Sequence, residues 1–366
     1  MSDAGVAARL GPLLHRILGP DLPVRVRAWD GSEAGPEGAP IFVIRDRRAL
    51  RRLLWKPGEV GLVRSYVAGE LDIEGDVVGA LAALQRVLRH GDEPIVLTSE
   101  DKREIVRTAV TLGAVGPEPK APPEERGQGP GLLGETPVGF YERMLGPSRS
   151  FGCGLWDGAV NLEEAQAADH ADLVARLGLK PGAQVLDLSA GWGVLAALLA
   201  AEGAQVTGVT AFTGSVAAGV TPVPEPGGGP YDLIVAPAGT EPVPRLAARL
   251  AVLLKPGGRL LARQLVHRQG AVRRPFTSDY VFPHEELATL GSLTETLDAA
   301  GLEVRKITAR REDYARTLRA WAANLQRTWT PDDQGLSRVW LLHLATTALA
   351  CELGRIGLYE TEAILR

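Results

Sequence analysis

A short apolar strand that runs into a glycine turn and then into an apolar helix most constrains the fold of this chain. The strand is predicted over Gln184–Leu188, the turn carries Gly191 and Gly193, and the helix is predicted over Val194–Ala201. In a parallel α/β sheet this order lets the backbone approach a ligand closely, with the helix N-terminus facing it. The segment therefore predicts a Rossmann-like nucleotide- or cofactor-binding loop. A tight strand–helix turn without a ligand is the alternative.

Charge, length and cysteine usage bound the class of protein. The 366 residues suffice for two domains, and the net charge of −4 predicts no strong general attraction to nucleic acid or to anionic membranes. Two cysteines, Cys153 and Cys351, give no disulfide framework and suit a reducing cytoplasm. The sequence shows neither an apolar signal core nor an apolar run near the roughly 18–20 residues that span a bilayer. We therefore expect that a membrane-lipid substrate is met at the membrane surface.

Further motifs flank the loop on both sides. In chain order they are Tyr66–Gly75, Phe140–Ser148, Phe151–Trp156, Asn161–Gln166, Leu177–Gly182, Val206–Thr210, Leu254–Leu261, Tyr280–Pro283, Asp313–Trp321 and Arg355–Tyr359. In this order and spacing, over nearly the whole chain, the sequence resembles the cyclopropane-fatty-acyl-phospholipid synthases and the mycolic acid cyclopropane synthases. The resemblance implies a methyltransferase fold, S-adenosylmethionine as cofactor and unsaturated acyl chains as substrates.

The fold class predicted from the strand pattern and the resemblance is α/β. We expect a Rossmann-like class I methyltransferase domain with an N-terminal mixed or helical domain. The predicted strands of a parallel sheet are 184–188, 205–210, 232–236 and 258–265, with a further strand at 302–307. The expected domains are an N-terminal cyclopropane-synthase-type domain over 1–112, a Pro/Gly linker over 113–136 and a methyltransferase-like domain over 137–366.

The N-terminal part combines strand and helix signals with a basic cluster. Residues 23–29 alternate like a strand, with 41–44 as its partner, and 77–88 has helical spacing. The basic cluster consists of Arg45, Arg47, Arg48, Arg51 and Arg52 around a short helix. It either faces anionic lipid headgroups or forms a solvated helix face, which is the commoner case. The Leu/Ala stripe of a terminal helix over 340–353 is interpreted as core rather than as a lipid groove.

The cofactor loop matches the family in part. The family pattern is acid-x-Gly-x-Gly-x-Gly, and Asp187, Gly191 and Gly193 match it, whereas the first glycine is Ser189. These three matching residues are the predicted cofactor-binding residues. The family's His-Tyr-Asp…Asn lid is replaced by residues 133–138, and its glutamine after the second strand has no counterpart in 211–215.

The crossover after the second strand is also unusually short. The family places a helix, a third strand and an Asp-Tyr-Arg adenine-binding motif here, where this chain has 20 residues between Thr210 and Tyr231. A mean helix alone takes about 11 residues, and the segment Pro222–Pro230 is too rich in proline and glycine to be helical. We therefore predict a loop instead of a helix and an adenine pocket that has lost a wall.

The reaction centre departs from the family at several positions. By resemblance, a bicarbonate that accepts a proton is held by a Glu-His pair, a second His, a Tyr and the backbone beside a Cys. Tyr314 and Cys153 match and are the candidate catalytic residues, whereas the second His corresponds to Arg263. The Glu-His pair falls on 235–239, which has no acid or imidazole, and Glu241 is the nearest substitute. Arg263 has the chemistry to bind an anion but not to act as a base near neutral pH.

Compared with the family, this chain keeps the scaffold motifs. The side chains that contact ligands in the family are replaced at six or more places. This asymmetry predicts a non-catalytic homologue that forms a heteromer with an active paralogue, in a family that tends to dimerise. The pair would methylate unsaturated acyl chains of phospholipids, giving cyclopropane or 10-methyl fatty acids, in the cytoplasm or peripherally at the inner membrane face. Two alternatives stay open: an active S-adenosylmethionine-dependent C-methyltransferase with a divergent site on a fatty acyl or other alkene substrate, and a lipid- or metabolite-binding protein without chemistry.

Overall fold

The structure is a computed structural model with mixed α/β architecture. It describes residues 5–18, 24–56, 58–88, 98–125, 136–188, 192–209, 218–236, 243–268, 278–282, 287–330 and 334–366. The helices are α1 (Val6–Leu18), α2 (Arg47–Trp55), α3 (Glu59–Val67), α4 (Val77–Leu88), α5 (Ser99–Thr111), α6 (Val138–Leu145), α7 (Leu162–Leu177), α8 (Val194–Ala201), α9 (Val243–Leu253), α10 (Ser278–Val281), α11 (Leu290–Ala299), α12 (Arg311–Arg327) and α13 (Gln334–Glu352). The strands are β1 (Arg25–Arg27), β2 (Glu33–Ala34), β3 (Ile41–Ile44), β4 (Leu71–Glu74), β5 (Gln184–Asp187), β6 (Gln205–Val209), β7 (Val220–Val223), β8 (Tyr231–Ala236), β9 (Leu254–His267), β10 (Leu302–Ala309) and β11 (Ile356–Leu365).

The chain divides into two compact units. Unit 1 comprises Met1–Leu133, Val272–Pro283 and Trp329–Leu349. Unit 2 comprises Gly134–Ala271, His284–Thr328 and Ala350–Arg366. The domain boundaries expected from the sequence remain a prediction, and each unit is described by itself below.

Unit 1 contains a four-stranded sheet in the order β2-β1-β3-β4. The predicted partnership of the first strand with 41–44 is confirmed, and the two strands run parallel. Helix α4 matches its predicted range, and α2 is the predicted short helix of the basic cluster. The α2 helix begins where Asp46 caps it by accepting the backbone N–H of Arg48 at 2.8 Å.

The last helix contributes to unit 1 through a buried cation and an apolar face. Arg338 of α13 donates from Nη2 to Asp72 Oδ2 at 3.0 Å, and its guanidinium lies 4.9 Å from the ring centre of Tyr66. The apolar stripe of α13, including Trp340 and Leu344, is buried. The stripe is therefore core, as the sequence analysis expects.

The first half of the expected linker is held on unit 1. Trp55 Nε1 donates to the carbonyl of Gly116 at 3.0 Å, and Arg52 Nη1 donates to the carbonyl of Lys120 at 2.6 Å. Arg64 forms an ion pair with Glu125. Residues 113–125 thus have specific contacts within the unit, and residues 126–135 lie outside the described range.

Unit 2 contains a seven-stranded sheet in the order β10-β11-β9-β8-β5-β6-β7. Strands β9, β8, β5 and β6 are parallel, as predicted, and β7 adds a parallel strand that the sequence analysis did not predict. Strand β11 runs antiparallel to both of its neighbours. One face of the sheet packs with α9 and α11 through residues such as Leu250 and Leu297. The other face packs with α7 and α8 through Leu173 and Leu199. Helices on both faces bury the sheet and leave its carboxyl edge for ligands.

The short crossover is a strand followed by an irregular turn. The described residues 218–230 contain no helix, which confirms that part of the prediction, and 210–217 lie outside the description. The expectation of a plain loop was wrong for Val220–Val223, which forms β7 beside β6. Pro222 is tolerated because β7 is the edge strand of the sheet, where a missing N–H breaks no ladder. Beyond it, Tyr231 Oη donates to the carbonyl of Gly227 at 2.7 Å.

Candidate functional site

The structure describes the strand end and the helix start that are predicted to face a cofactor. Asp187 ends β5 and is only 2% exposed. Gly193, with a φ of +78°, is the N-cap of α8 in the left-handed region, which suits glycine. Two of the three predicted cofactor-binding residues therefore flank the loop. The third, Gly191, lies outside the described residues together with Ser189.

A row of aromatic rings connects this loop with α6 and α12. The rings of Trp192 and Tyr141 meet edge to face at 5.5 Å, and Tyr141 meets Phe151 in the same way at 6.2 Å. Phe151 stacks on Trp321 with ring centres 5.3 Å apart. Burial raises the pKa of Tyr141 well above its ordinary value, so its hydroxyl stays protonated. Sequence reasoning named these residues only as motif members and missed the row.

The motif Asp313–Trp321 on α12 holds the loop that carries Cys153. Thr317 Oγ1 accepts hydrogen bonds from Gly154 N and Trp156 Nε1, each at 3.0 Å, and donates to the carbonyl of Asp313 at 2.8 Å. Asp313 Oδ1 accepts the backbone N–H of Trp156 at 3.0 Å. The Thr317 hydroxyl thus makes all three hydrogen bonds that it is able to make. The motif therefore fixes the position of the loop that carries Cys153.

Replacing Thr317 with valine is expected to loosen this loop without changing side-chain volume. Two buried N–H donors lose their acceptor, and each unsatisfied buried group costs about 1–3 kcal/mol. We expect the free energy of unfolding to fall by about 2 kcal/mol or more in urea denaturation. Thr328→Val is the control, because the Thr328 hydroxyl bonds only to the carbonyl of Asn324 in its own helix. Equal effects of the two substitutions would contradict this role of Thr317.

The two candidate catalytic residues lie in one neighbourhood. Cys153 is buried, its thiol lies 3.3 Å from the carbonyl of Gly154, and burial raises its pKa well above the ordinary value although Arg263 opposes this shift. It is therefore a neutral thiol rather than a thiolate. Tyr314 is half-buried on α12, next to the Asp313 that holds the Cys153 loop.

Arg263 is bound by the protein's own carboxylates. Its Nη1 and Nη2 donate to the two oxygens of Asp169 at 2.7 and 2.6 Å, and its Nε donates to Glu360 Oε2 at 2.8 Å. All three side chains are at least nine-tenths buried. Both edges of its guanidinium are therefore occupied, which argues against the possibility raised from the sequence that Arg263 binds an external anion.

A second arginine, Arg176, also contacts this cluster. Glu360 Oε1 also accepts a hydrogen bond from Arg176 at 2.7 Å. Burial acts to raise the pKa of Glu360, but Arg263 and Arg176 outweigh it and hold that pKa below its ordinary value. Burial acts to lower the pKa of Arg263, but Asp169 and Glu360 outweigh it and raise that pKa, so the cation is permanent. The cluster is a fixed ion network rather than a proton-transfer group.

Strand register places this network at the carboxyl edge of the sheet. Asp187 is level with Val235, and Val235 is level with Leu261 on β9. Arg263 follows Leu261 by two residues and stands at the same edge as the cofactor loop. Asp169 occupies the buried stripe of α7 with Ala165 and Leu173, so an acid on an apolar helix face was the sequence signal for this network.

A histidine side chain, that of His170, lies near the loop that carries Cys153. His170 Nε2 is 3.1 Å from Ser150 Oγ, and burial lowers the pKa of His170 although Asp169 opposes the shift. This imidazole is therefore neutral near pH 7. Sequence reasoning did not single it out, since nothing local distinguishes it from a helix-surface histidine.

By the family resemblance, the segment after β7 corresponds to the part of the chain that contacts the adenine of S-adenosylmethionine. After β7 the chain reads Pro224, Glu225 and Pro226, and the two prolines offer no backbone N–H to an adenine. Glu241 and 237–239 lie outside the described residues. The described residues thus include the strand end and the helix start that are predicted for a cofactor site. Within the described residues, no group of His, Cys, Asp and Glu side chains suits a metal ion, and no helix is long and apolar enough to cross a membrane.

Comparison with known structures identifies the class of fold. The chain is similar to the cyclopropane synthase MmaA2 from Mycobacterium tuberculosis, with a TM-score of 0.58 and 22% identity over 64% of this chain and 96% of that one. It is also similar to a coclaurine N-methyltransferase, with a TM-score of 0.59 and 16% identity over 84% and 99% of the two chains. The fold is that of the class I methyltransferases.

The particular family follows from the sequence. The mycolic acid cyclopropane synthetase family matches residues 137–217 and 234–360, and the chain belongs to this family. It is similar to a "probable fatty acid methyltransferase" of Mycobacterium tuberculosis, 29% identical over 93% of this chain and 91% of the relative. The resemblance stated from the motifs is confirmed.

Proposed function

We propose that this chain is a catalytically impaired member of its family that serves as a non-catalytic partner subunit of an active methyltransferase. The active subunit would methylate unsaturated acyl chains of phospholipids. The observation that carries the proposal is the saturation of Arg263 by Asp169 and Glu360 at the position where the family has an imidazole.

The chemistry of the family reaction explains why this substitution matters. Methyl addition to an alkene leaves a carbocation, which must lose a proton to a base. Arg263 cannot accept a proton, and the pKa of Glu360 is held low. The thiol of Cys153 is buried and neutral. In the family the base is the bicarbonate held by the anion site, and Arg263, which is taken up by Asp169 and Glu360, is not available to hold that anion.

The retained scaffold supports a role in association. Asp313 and Thr317 still hold the Cys153 loop, and the aromatic row still joins the cofactor loop to α6 and α12. A protein kept only for its fold preserves such contacts while its ligand contacts change. A partner that binds the folded state would also stabilise the active subunit by mass action.

An active methyltransferase with a divergent site is the second candidate function. His170 favours it, since a neutral imidazole hydrogen-bonded to Ser150 is able to accept a proton. The buried Asp187 and the helix start at Gly193 favour it as well. Acyl chains or other alkenes would be its substrates.

Co-expression with an intact family methyltransferase from the same genome separates the two candidates. We expect a stable heteromer and more methylated fatty acid than the intact enzyme makes alone, measured by mass spectrometry of lipid extracts. Tyr314→Phe in this chain should leave that yield nearly unchanged, because the other side chains that hold the anion in the family are replaced here.

The contrary outcomes are equally specific. Methylated product formed by this chain alone, and lost in a His170→Gln variant, would establish the second candidate. A large loss of product from Tyr314→Phe in the heteromer would likewise show that this subunit performs chemistry. Failure of the two proteins to co-purify would contradict the partner role.

A further inference from the structure

Asp169 is a buried carboxylate on the core-facing side of helix α7. It is only 2% exposed, and its neighbours on this side of the helix, Ala165 and Leu173, are buried as well. A carboxylate in such a place costs folding free energy unless a cation and hydrogen bonds compensate for the lost water. The groups that Asp169 contacts must therefore account for its charge.

The carboxylate of Asp169 meets the guanidinium of Arg263 edge to edge. Arg263 Nη1 donates to Asp169 Oδ2 at 2.7 Å, and Nη2 donates to Oδ1 at 2.6 Å. Arginine binds free carboxylates and other planar oxyanions with the same pair of parallel hydrogen bonds. The Nε side of Arg263 is bound separately by Glu360. The edge that Asp169 occupies thus has the geometry of a binding site for a planar pair of oxygens.

This pair of side chains lies beside the loop that carries Cys153. The charges of Arg263 and Asp169 act in opposite directions on the pKa of Cys153 and on the pKa of His170. By the family resemblance, the position of Arg263 belongs to an imidazole that holds bicarbonate. A carboxylate and bicarbonate share a planar O–C–O group. Asp169 therefore supplies, from within the chain, an anion of the kind that the family takes from solution.

We propose that the Asp169 carboxylate is a built-in anion that closes this site to small planar anions such as formate and bicarbonate. The fold holds Asp169 at Arg263, so its binding lacks the loss of translational freedom that a free anion incurs. An external anion would also have to displace two charge-assisted hydrogen bonds. The inference goes beyond the proposed function, because it concerns the occupant of the anion site and holds with or without a partner subunit.

Removing the carboxylate and supplying it again from solution tests the proposal on the full chain. Asp169→Ala deletes the carboxylate, leaves a space of that size beside Arg263 and keeps a good helix former in α7. We expect this variant to unfold at a lower temperature than the parent. Formate should raise its unfolding midpoint in a concentration-dependent way, by at least about 2 °C. The midpoint of the parent should not respond to formate or to bicarbonate in this way.

Two variants and a second salt separate a specific site from general effects of salt. Asp169→Asn removes the charge but still fills the space, so formate should not raise its midpoint. Asp298→Ala removes an acid of α11 that is paired with Arg366 in solvent, with side chains 65% and 59% exposed, and formate should not change its midpoint either. Chloride lacks a planar pair of oxygens and should therefore stabilise Asp169→Ala less than formate does.

Recovery of folded Asp169→Ala only when formate is present in the buffer would support the proposal as a stronger form of the same rescue. Failure to obtain folded protein both with and without formate would contradict it. A folded variant that formate does not stabilise, or that chloride stabilises equally well, would also overturn it, as would a parent that formate stabilises as much as the variant. These measurements involve neither methyl transfer nor heteromer formation, so the proposed function is tested separately.

Discussion

The family resemblance places a histidine at the position of Arg263. Replacing Arg263 with histidine is expected to lower the free energy of unfolding of the protein rather than to restore a proton acceptor. Asp169 and Glu360 would be left buried without the cation that donates to both. Breaking a buried ion pair in this way typically costs about 3–5 kcal/mol. Because domains are stable by only about 5–15 kcal/mol, the midpoint of urea unfolding should fall markedly. No methylated product is expected from the variant.

An exposed arginine, Arg305, provides the control. Arg305→His changes a side chain on β10 that is 55% exposed and should alter stability by no more than about 0.5 kcal/mol. In the parent, the pKa of Glu360 is held below its ordinary 4.5, so its contribution is present above that pH and is lost as pH falls. The stability difference between parent and Arg263→His should therefore shrink as pH drops, first as the introduced imidazole gains a proton, with an ordinary pKa of about 6.5, and then as Glu360 is protonated. A variant as stable as the parent at pH 7, or one that gains methylation, would contradict this view of the ion network.

The central elements of unit 2 were predictable because their patterns are local. The apolar residues of β5, the glycine turn and the apolar run of α8 follow one another directly along the chain. Two strands were not predicted. Pro222 argued against β7, and the polar run from Glu360 to Glu362 hid the strand pattern of β11. Glu360 is buried only because Arg263 and Arg176 pair with it.

The candidate site was predictable in its positions but not in its interactions. The family resemblance marked Arg263, Cys153 and Tyr314, yet the sequence could not show that Arg263 is saturated. Asp169 and Glu360 are about a hundred residues away on either side and reach it only through the folded sheet. His170 was missed for the same reason, since its hydrogen-bond partner and its burial are properties of the fold.

Weak or absent binding of S-adenosylmethionine is the second large effect that we expect. The prolines after β7 cannot donate to an adenine, the glutamine expected in 211–215 is absent from the sequence, and the lid motif is replaced at 133–138. Each missing hydrogen bond of this kind is worth about 1–3 kcal/mol. Three such losses weaken binding by several powers of ten. The retained Asp187 and Gly193 are not expected to compensate.

Titration calorimetry of the purified full chain with S-adenosylmethionine tests this central claim directly. An intact family methyltransferase serves as the positive control in the same buffer. The account predicts heats of dilution only, up to a ligand concentration of about 1 mM, which corresponds to a binding free energy weaker than about −4 kcal/mol. A saturable isotherm with a dissociation constant in the low micromolar range, roughly −8 kcal/mol, would contradict it and make the active methyltransferase the better account.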